Sequence, residues 1–221
     1  ISYGSAGYNP ATGTELGNLA TTANFNSITG LTPVTEYCFW VKAICTNGDT
    51  SKWAGPYCAS TGCPDSYSVT YTQDFTEYLP DCWEEKEGVL TATGTNFRTG
   101  TTSNWASRQF ANQGSDFGAN LQVYGSSVDE WLISPSINFG SDPNNWKIVE
   151  FDYALTDYLT TAPGAFSPDD SVVLVASYDN GTTWDTSGII GLWDASTPVN
   201  QGTNRFLKVI KNKTGKVKHG F

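Results

Sequence analysis

The fourteen residues from Ser171 to Trp184, SVVLVASYDNGTTW, limit the fold more than any other stretch. Val172, Leu174 and Ala176 alternate with Val173, Val175 and Ser177, so the run reads as a strand buried on at least one face. It leads straight into Asp179-Asn180-Gly181, where Gly can take a positive φ and Asp can bond its own following backbone. The chain is therefore expected to turn back here. Trp184 is expected to open the return strand and lay its indole across the hairpin.

The rest of the 221 residues agree with a sheet. Twenty-two Gly, 10 Pro, 8 Trp, 11 Tyr and 11 Phe, with no Met, describe short strands joined by tight turns. No sustained i, i+3, i+4, i+7 apolar pattern marks a helix. The expected class is all-β, as one large domain or two smaller ones. No apolar run approaches the ~18 residues of a membrane-crossing helix, so no membrane span is expected. The N-terminus also lacks a basic-then-apolar leader.

Net charge is −10 and unevenly spread. Residues 1–204 hold all 22 acidic groups against Lys42, Lys52, Lys86, Arg98, Arg108 and Lys147, whereas Arg205, Lys208, Lys211, Lys213, Lys216 and Lys218 crowd the remainder. An acidic body repels phosphates, so no nucleic-acid partner is expected. The alternating lysines are read as protecting a strand edge. Of the five cysteines, Cys38 and Cys58 can bridge neighbouring strands and Cys63 can meet Cys82, leaving Cys45. No pair has CxxC spacing and the lone histidine is His219, which argues against zinc and for an oxidising, extracellular setting.

In chain order, Leu31-Thr32-Pro33-x-Thr35-x-Tyr37 leads into Cys38-Phe39-Trp40-Val41-Lys42-Ala43-Ile44. Tyr37, Phe39, Val41 and Ala43 share one strand face, which is expected to be dry. A Pro-containing corner before an inward Tyr is how sandwich domains tie a loop to the strand it enters. On these residues the stretch 1–62 resembles a fibronectin type III domain. Ile1-Ser2-Tyr3-Gly4 matches its third strand, and Ser51-x-Trp53-x-Gly55-Pro56 matches the bend before its last. The resemblance covers the later half of such a domain, so another segment or a longer chain is expected to complete it.

Small polar residues at Ser60-Thr61-Gly62-Cys63-Pro64 mark a boundary. Beyond it come Gln73-Asp74-Phe75, Leu79-Pro80-Asp81-Cys82-Trp83, a Gly/Thr/Asn-rich stretch over 96–118 read as loops and short strands, and the strands Trp131-Leu132-Ile133-Ser134-Pro135 and Val149-Glu150-Phe151-Asp152-Tyr153. Trp193 and Asp194 are read as irregular, and Phe206–Ile210 with Lys216–Phe221 as a closing hairpin. Ser177-x-Asp179-x-Gly181-x-Thr183-Trp184 resembles the Asp-box, a structural turn motif in which Asp179, Gly181 and Trp184 do no chemistry. The whole order over residues 63–221 resembles the cleaved-adhesin group and its MAM-like relatives. These are jelly-roll domains of secreted bacterial proteases, polysaccharide-degrading enzymes and surface adhesins, often exported by the type 9 route. Such relatives continue into a last strand bearing an Asp, and the sequence stops before it.

Catalytic constellations are poorly supported. A Ser-His-Asp triad or a Cys nucleophile would have to use His219 in a Lys-rich strand. The adjacent pairs Glu84-Glu85 and Asp169-Asp170 would point to opposite strand faces. A non-enzyme is expected. Calcium takes six to eight oxygens, and sandwich loops supply carboxylates and carbonyls together. The resemblance nominates Asp74 as a ligand, and Asp152, Asp169 and Asp170 are further candidates for a structural Ca²⁺. Trp146, Trp193 and Tyr158 fall in loop-like segments where rings can stack on sugars, as can Trp105, whereas Trp131 and Trp184 are expected in the core. The resemblance implies an adhesion or recognition module of a larger secreted or cell-surface protein, with a host or cell-surface protein or a polysaccharide as partner. A calcium-dependent carbohydrate-binding module is the alternative.

Overall fold

A computed structural model describes residues 1–22, 27–95, 97–99, 104–122, 129–196 and 202–221. It is all-β, with two 3-10 turns, Phe110–Asn112 and Thr186–Gly188, as the only helical elements among the described residues. No described helix is long and apolar enough to cross a membrane. The chain divides into two compact units, Ile1–Pro64 and Asp65–Phe221.

The first unit is one antiparallel sheet of β1 (Ser2–Ser5), β2 (Gly17–Asn18), β3 (Glu36–Val41) and β4 (Ala54–Ser60), in the order β2-β1-β3-β4. Cys38 and Cys58 lie opposite each other on β3 and β4 and form a disulfide. Cys63 and Cys82 each lie in a disulfide, and Cys45 is free and exposed. The Tyr37 hydroxyl accepts the backbone N–H of Thr32 at 2.9 Å, tying the Pro33 corner to β3 as that spelling predicts. One sheet face is covered by Tyr8, whose carbonyl accepts Trp40 Nε1 at 2.8 Å. The other is not dry beyond Tyr37. Val41, Ala43 and Tyr57 are exposed, because the described residues of this unit supply no second sheet to cover them.

The second unit is built on an eight-stranded sheet. Its spine runs β14 (Ile189–Asp194), β13 (Ser171–Ser177), β16 (Lys216–Gly220), β10 (Glu130–Ile133), β6 (Glu84–Glu87), β7 (Arg98–Thr99). The short β11 (Ile137–Asn138) joins β16 to β5 (Tyr67–Ser68). Two further pairs stand apart from it, β12 (Lys147–Leu155) with β15 (Gly202–Ile210), and β8 (Trp105–Gln109) with β9 (Phe117–Leu121).

Strand β13 is buried on both faces from Leu174 to Ser177, as its unbroken apolar run requires. On one face Val175 packs with Trp131, Ile133 and Trp184; on the other Ala176 packs with Phe139, Val217 and Ile210 of the β12–β15 layer. That second cluster joins the two layers into a sandwich.

Three expectations are corrected here. The return strand from the Asp179 turn begins at Ile189, not at Trp184, because the indole is drawn into the core cluster and the chain makes a 3-10 turn first. Phe206–Ile210 and Lys216–Gly220 do not pair with each other. Positive φ at Asn212 and Gly215 carries the chain from one layer to the other, so the two segments join different sheets. As a result β16 lies between β13 and β10, and its lysines protect no edge. Lys218 reaches Glu84 at 2.9 Å and Lys216 pairs with Asp65.

Candidate functional site

The Asp179 turn is a closed hydrogen-bond system. Ser177 Oγ donates to Asp179 Oδ1 at 2.7 Å and accepts the Gly181 N–H at 2.9 Å. Thr183 donates its N–H to Oδ1 at 2.9 Å and its hydroxyl to Oδ2 at 2.6 Å. Burial raises the Asp179 pKa, but the bonds from Thr183 and Ser177 outweigh it and hold the carboxyl below its ordinary value. Gly181 sits at φ +81, where a side chain would be strained, and its carbonyl accepts Trp184 Nε1 at 3.0 Å. The Asp179 carboxylate and the Ser177 hydroxyl are thus engaged within the turn, which fixes Trp184.

The four calcium candidates are not brought together. Asp74 Oδ1 accepts the Thr76 N–H at 3.0 Å, and that bond lowers its pKa. Asp152 Oδ1 and Oδ2 accept Arg205 at 2.9 and 3.2 Å, which lowers the Asp152 pKa, while Arg205 also reaches Glu150 at 2.8 Å. Asp170 Oδ2 accepts the Ser167 N–H at 3.2 Å, and exposed Asp169 stands beside it in sequence. Among the described residues no three carboxylate, histidine or cysteine side chains converge.

The other carboxylate pair and the histidine have structural surroundings. Glu84 is held by Lys218 and Lys86, both at 2.9 Å, and Glu85 accepts the Tyr78 hydroxyl. His219 is buried, its backbone N–H given to Ser134 Oγ at 2.9 Å, and its Nε2 has no hydrogen-bond partner.

The aromatic candidates separate. Trp193, read as a loop residue, lies in β14 and is buried against Phe151, Tyr153 and Phe206, with ring centroids 5.2–6.0 Å apart. Gly191 broke the apolar pattern that would have marked this strand. A Cβ there would come within 2.7 Å of the Trp193 ring, so the glycine is what lets the indole fold back over its own strand. Trp105 likewise lies in a strand, β8. Trp146 and Tyr158 do stand out, 60% and 68% exposed.

Trp146 belongs to a larger feature, the outward face of β12–β15. Ile148 and Val209 are cross-strand partners, 60% and 37% exposed. Beside them Lys211 Nζ lies 4.3 Å from the Trp146 ring, a cation–π contact. The opposite end of the face is closed by the ion pairs of Arg205 with Asp152 and Glu150. An apolar centre thus has a cationic aromatic end and an ion-paired end with one carboxylate in excess. The alternation of Val149, Phe151 and Tyr153 already places Ile148 on the opposite face, but nothing local in the sequence names Val209 and Lys211 as its neighbours.

Comparison with protein-family models, with curated proteins and with solved structures finds no match.

Proposed function

We propose that this chain is a non-catalytic adhesion or recognition module of a larger secreted or cell-surface protein, its two units being a partial fibronectin type III-like domain and a cleaved-adhesin or MAM-like jelly roll. The observation that carries the reading is the outward face of β12–β15, where Trp146, Ile148, Val209 and Lys211 are exposed side by side. Sandwich proteins usually present charged and polar residues there. A Trp beside a cation and flanked by branched aliphatics has the composition of a binding hot spot. The disulfides support an oxidising, extracellular setting.

The test is binding to a panel of purified cell-surface and matrix proteins by the parent chain, Trp146→Ala and Lys211→Ala. Trp146→Ala is expected to weaken the recognised partner by about 30-fold or more, the size of a hot-spot loss. At so exposed a position its stability should stay within about 0.5 kcal/mol of the parent. Unchanged affinity for every partner bound would reject this face as the contact.

A calcium-dependent carbohydrate-binding module is the second reading, favoured by the exposed rings of Trp146 and Tyr158. It expects glycan-array signals that vanish in Trp146→Ala, and a melting temperature that falls when EGTA replaces calcium. Identical melting in calcium and EGTA would remove the ion from the reading.

A further inference from the structure

The second unit contains a cavity of about 1590 Å³ bordered by strand edges as well as by side chains. Small-molecule sites occupy roughly 300–1,000 Å³, so this space is oversized for one. Every residue of β12, Lys147 through Leu155, borders it, including Ile148, Glu150 and Asp152 on the outward face. A strand whose two faces both border one space presents its edge to that space. Every residue of β9, Phe117 through Leu121, borders it too. Among the described residues β12 pairs only with β15 and β9 only with β8, so each keeps one edge without a ladder. Near one end the two are tied, since Asn112 Nδ2 donates to Thr156 Oγ1 at 2.9 Å and to the Thr160 carbonyl at 2.6 Å.

Backbone N–H and C=O groups along such edges call for partners, and the ligand that supplies both in register is another strand. His219 gives an independent pointer. Its side chain is more than nine-tenths buried, borders the same cavity, and keeps Nε2 without a partner. Buried polar atoms are nearly always bonded, so the arrangement is complete only when an occupant brings a polar group to it.

We infer that the slot between β9 and β12 receives an extended peptide from a partner protein, laddered to both edges and offering a hydrogen-bonding group to His219. The occupant's side chains turned inward would meet Trp83, Phe151 and Phe221 and must be apolar. Around the cavity Asp74, Asp116, Asp129, Glu130, Glu150 and Asp152 stand against Arg108, Lys147 and Arg205, so its other side chains are basic. The five residues of β9 set the doubly laddered length at about 17 Å, a strand of about seven residues with its ends. Trp146 and Ile148 of the outward face also border the cavity, so what tells this site from binding on that face is a ladder that reaches β9, residues 117–121, as well as β12.

The test titrates the 221-residue chain with the synthetic peptide Val-Lys-Val-Lys-Val-Lys-Val, followed by Trp fluorescence and amide hydrogen exchange. Saturable binding is expected, with new protection confined to 117–121 and 147–155. N-methylating three of the peptide's amides should weaken binding by about a hundred-fold, about fivefold for each lost main-chain hydrogen bond. Three results would overturn the inference: no binding, equal affinity for the N-methylated peptide, or protection confined to other strands. Uptake of the apolar dye 8-anilinonaphthalene-1-sulfonate that the peptide fails to displace would reassign the cavity to small apolar ligands.

Discussion

Replacing Trp184 with alanine is expected to remove about 3–5 kcal/mol of stability, the cost of deleting a large buried aromatic and leaving its cavity. The indole is 6% exposed and packs on Trp131, Ile133 and Val175, with the Phe97 ring 5.4 Å away edge-on. It plugs one face of the eight-stranded sheet at the centre of the second unit. Trp184→Phe separates the packing from the polar tether. It keeps most of the apolar volume and loses only the bond from Nε1 to the Gly181 carbonyl, so about 1 kcal/mol is expected. Asp179→Ala should fall between the two, because Thr183 and Ser177 lose their acceptor while the indole stays. Urea unfolding of the three variants measures the order. An alanine variant within about 1 kcal/mol of the parent would show that Trp184 is not what closes this face.

That hierarchy also explains which parts of the molecule could be read from sequence. The Asp179 turn with its Trp184 tether and the Tyr37 corner rest on residues close together in the chain. Their geometry follows from local rules of φ, hydrogen bonding and alternation. Strand partnership is different. Arg205 meets Asp152 across β12–β15, and His219 meets Ala176 across β13–β16, at separations where many registers satisfy the same alternation. The closing hairpin was the simplest local solution for 206–221. It lost because Val217 and Ile210 bury more by joining opposite layers around Phe139 and Ala176. The outward patch was half legible for the same reason: Ile148 follows from alternation on its own strand, whereas Val209 and Lys211 come from its partner. Trp193 was misplaced because a strand glycine reads as a break until the ring that covers it is known.

His219 provides the other large expected effect, a loss of stability between pH 6.5 and 4. Burial pushes its pKa from the ordinary 6.5 down to about 4. In the unfolded chain the imidazole takes up a proton near pH 6.5, while in the folded protein it stays neutral until pH 4. Between those values the unfolded state binds more protons, so stability is at its full value above pH 6.5 and drains away as the pH falls. The gap corresponds to about 3 kcal/mol. For a domain of ordinary stability, about 5–15 kcal/mol, that is a large share. The assignment is clean because the chain has no other histidine. The carboxylates of Asp74, Asp152, Asp179, Asp185 and Glu84 are held below their ordinary values of 3.8 and 4.5, so their own losses begin only as the pH falls towards those values, below most of the histidine window. Urea midpoints of the parent and of His219→Phe, measured from pH 7.5 to 4, distinguish the cause. The parent should weaken steadily below pH 6.5 and the variant should stay level until the carboxylates begin to protonate. Parallel curves would mean that His219 is reached by solvent in the folded protein and does not carry the burial assigned to it.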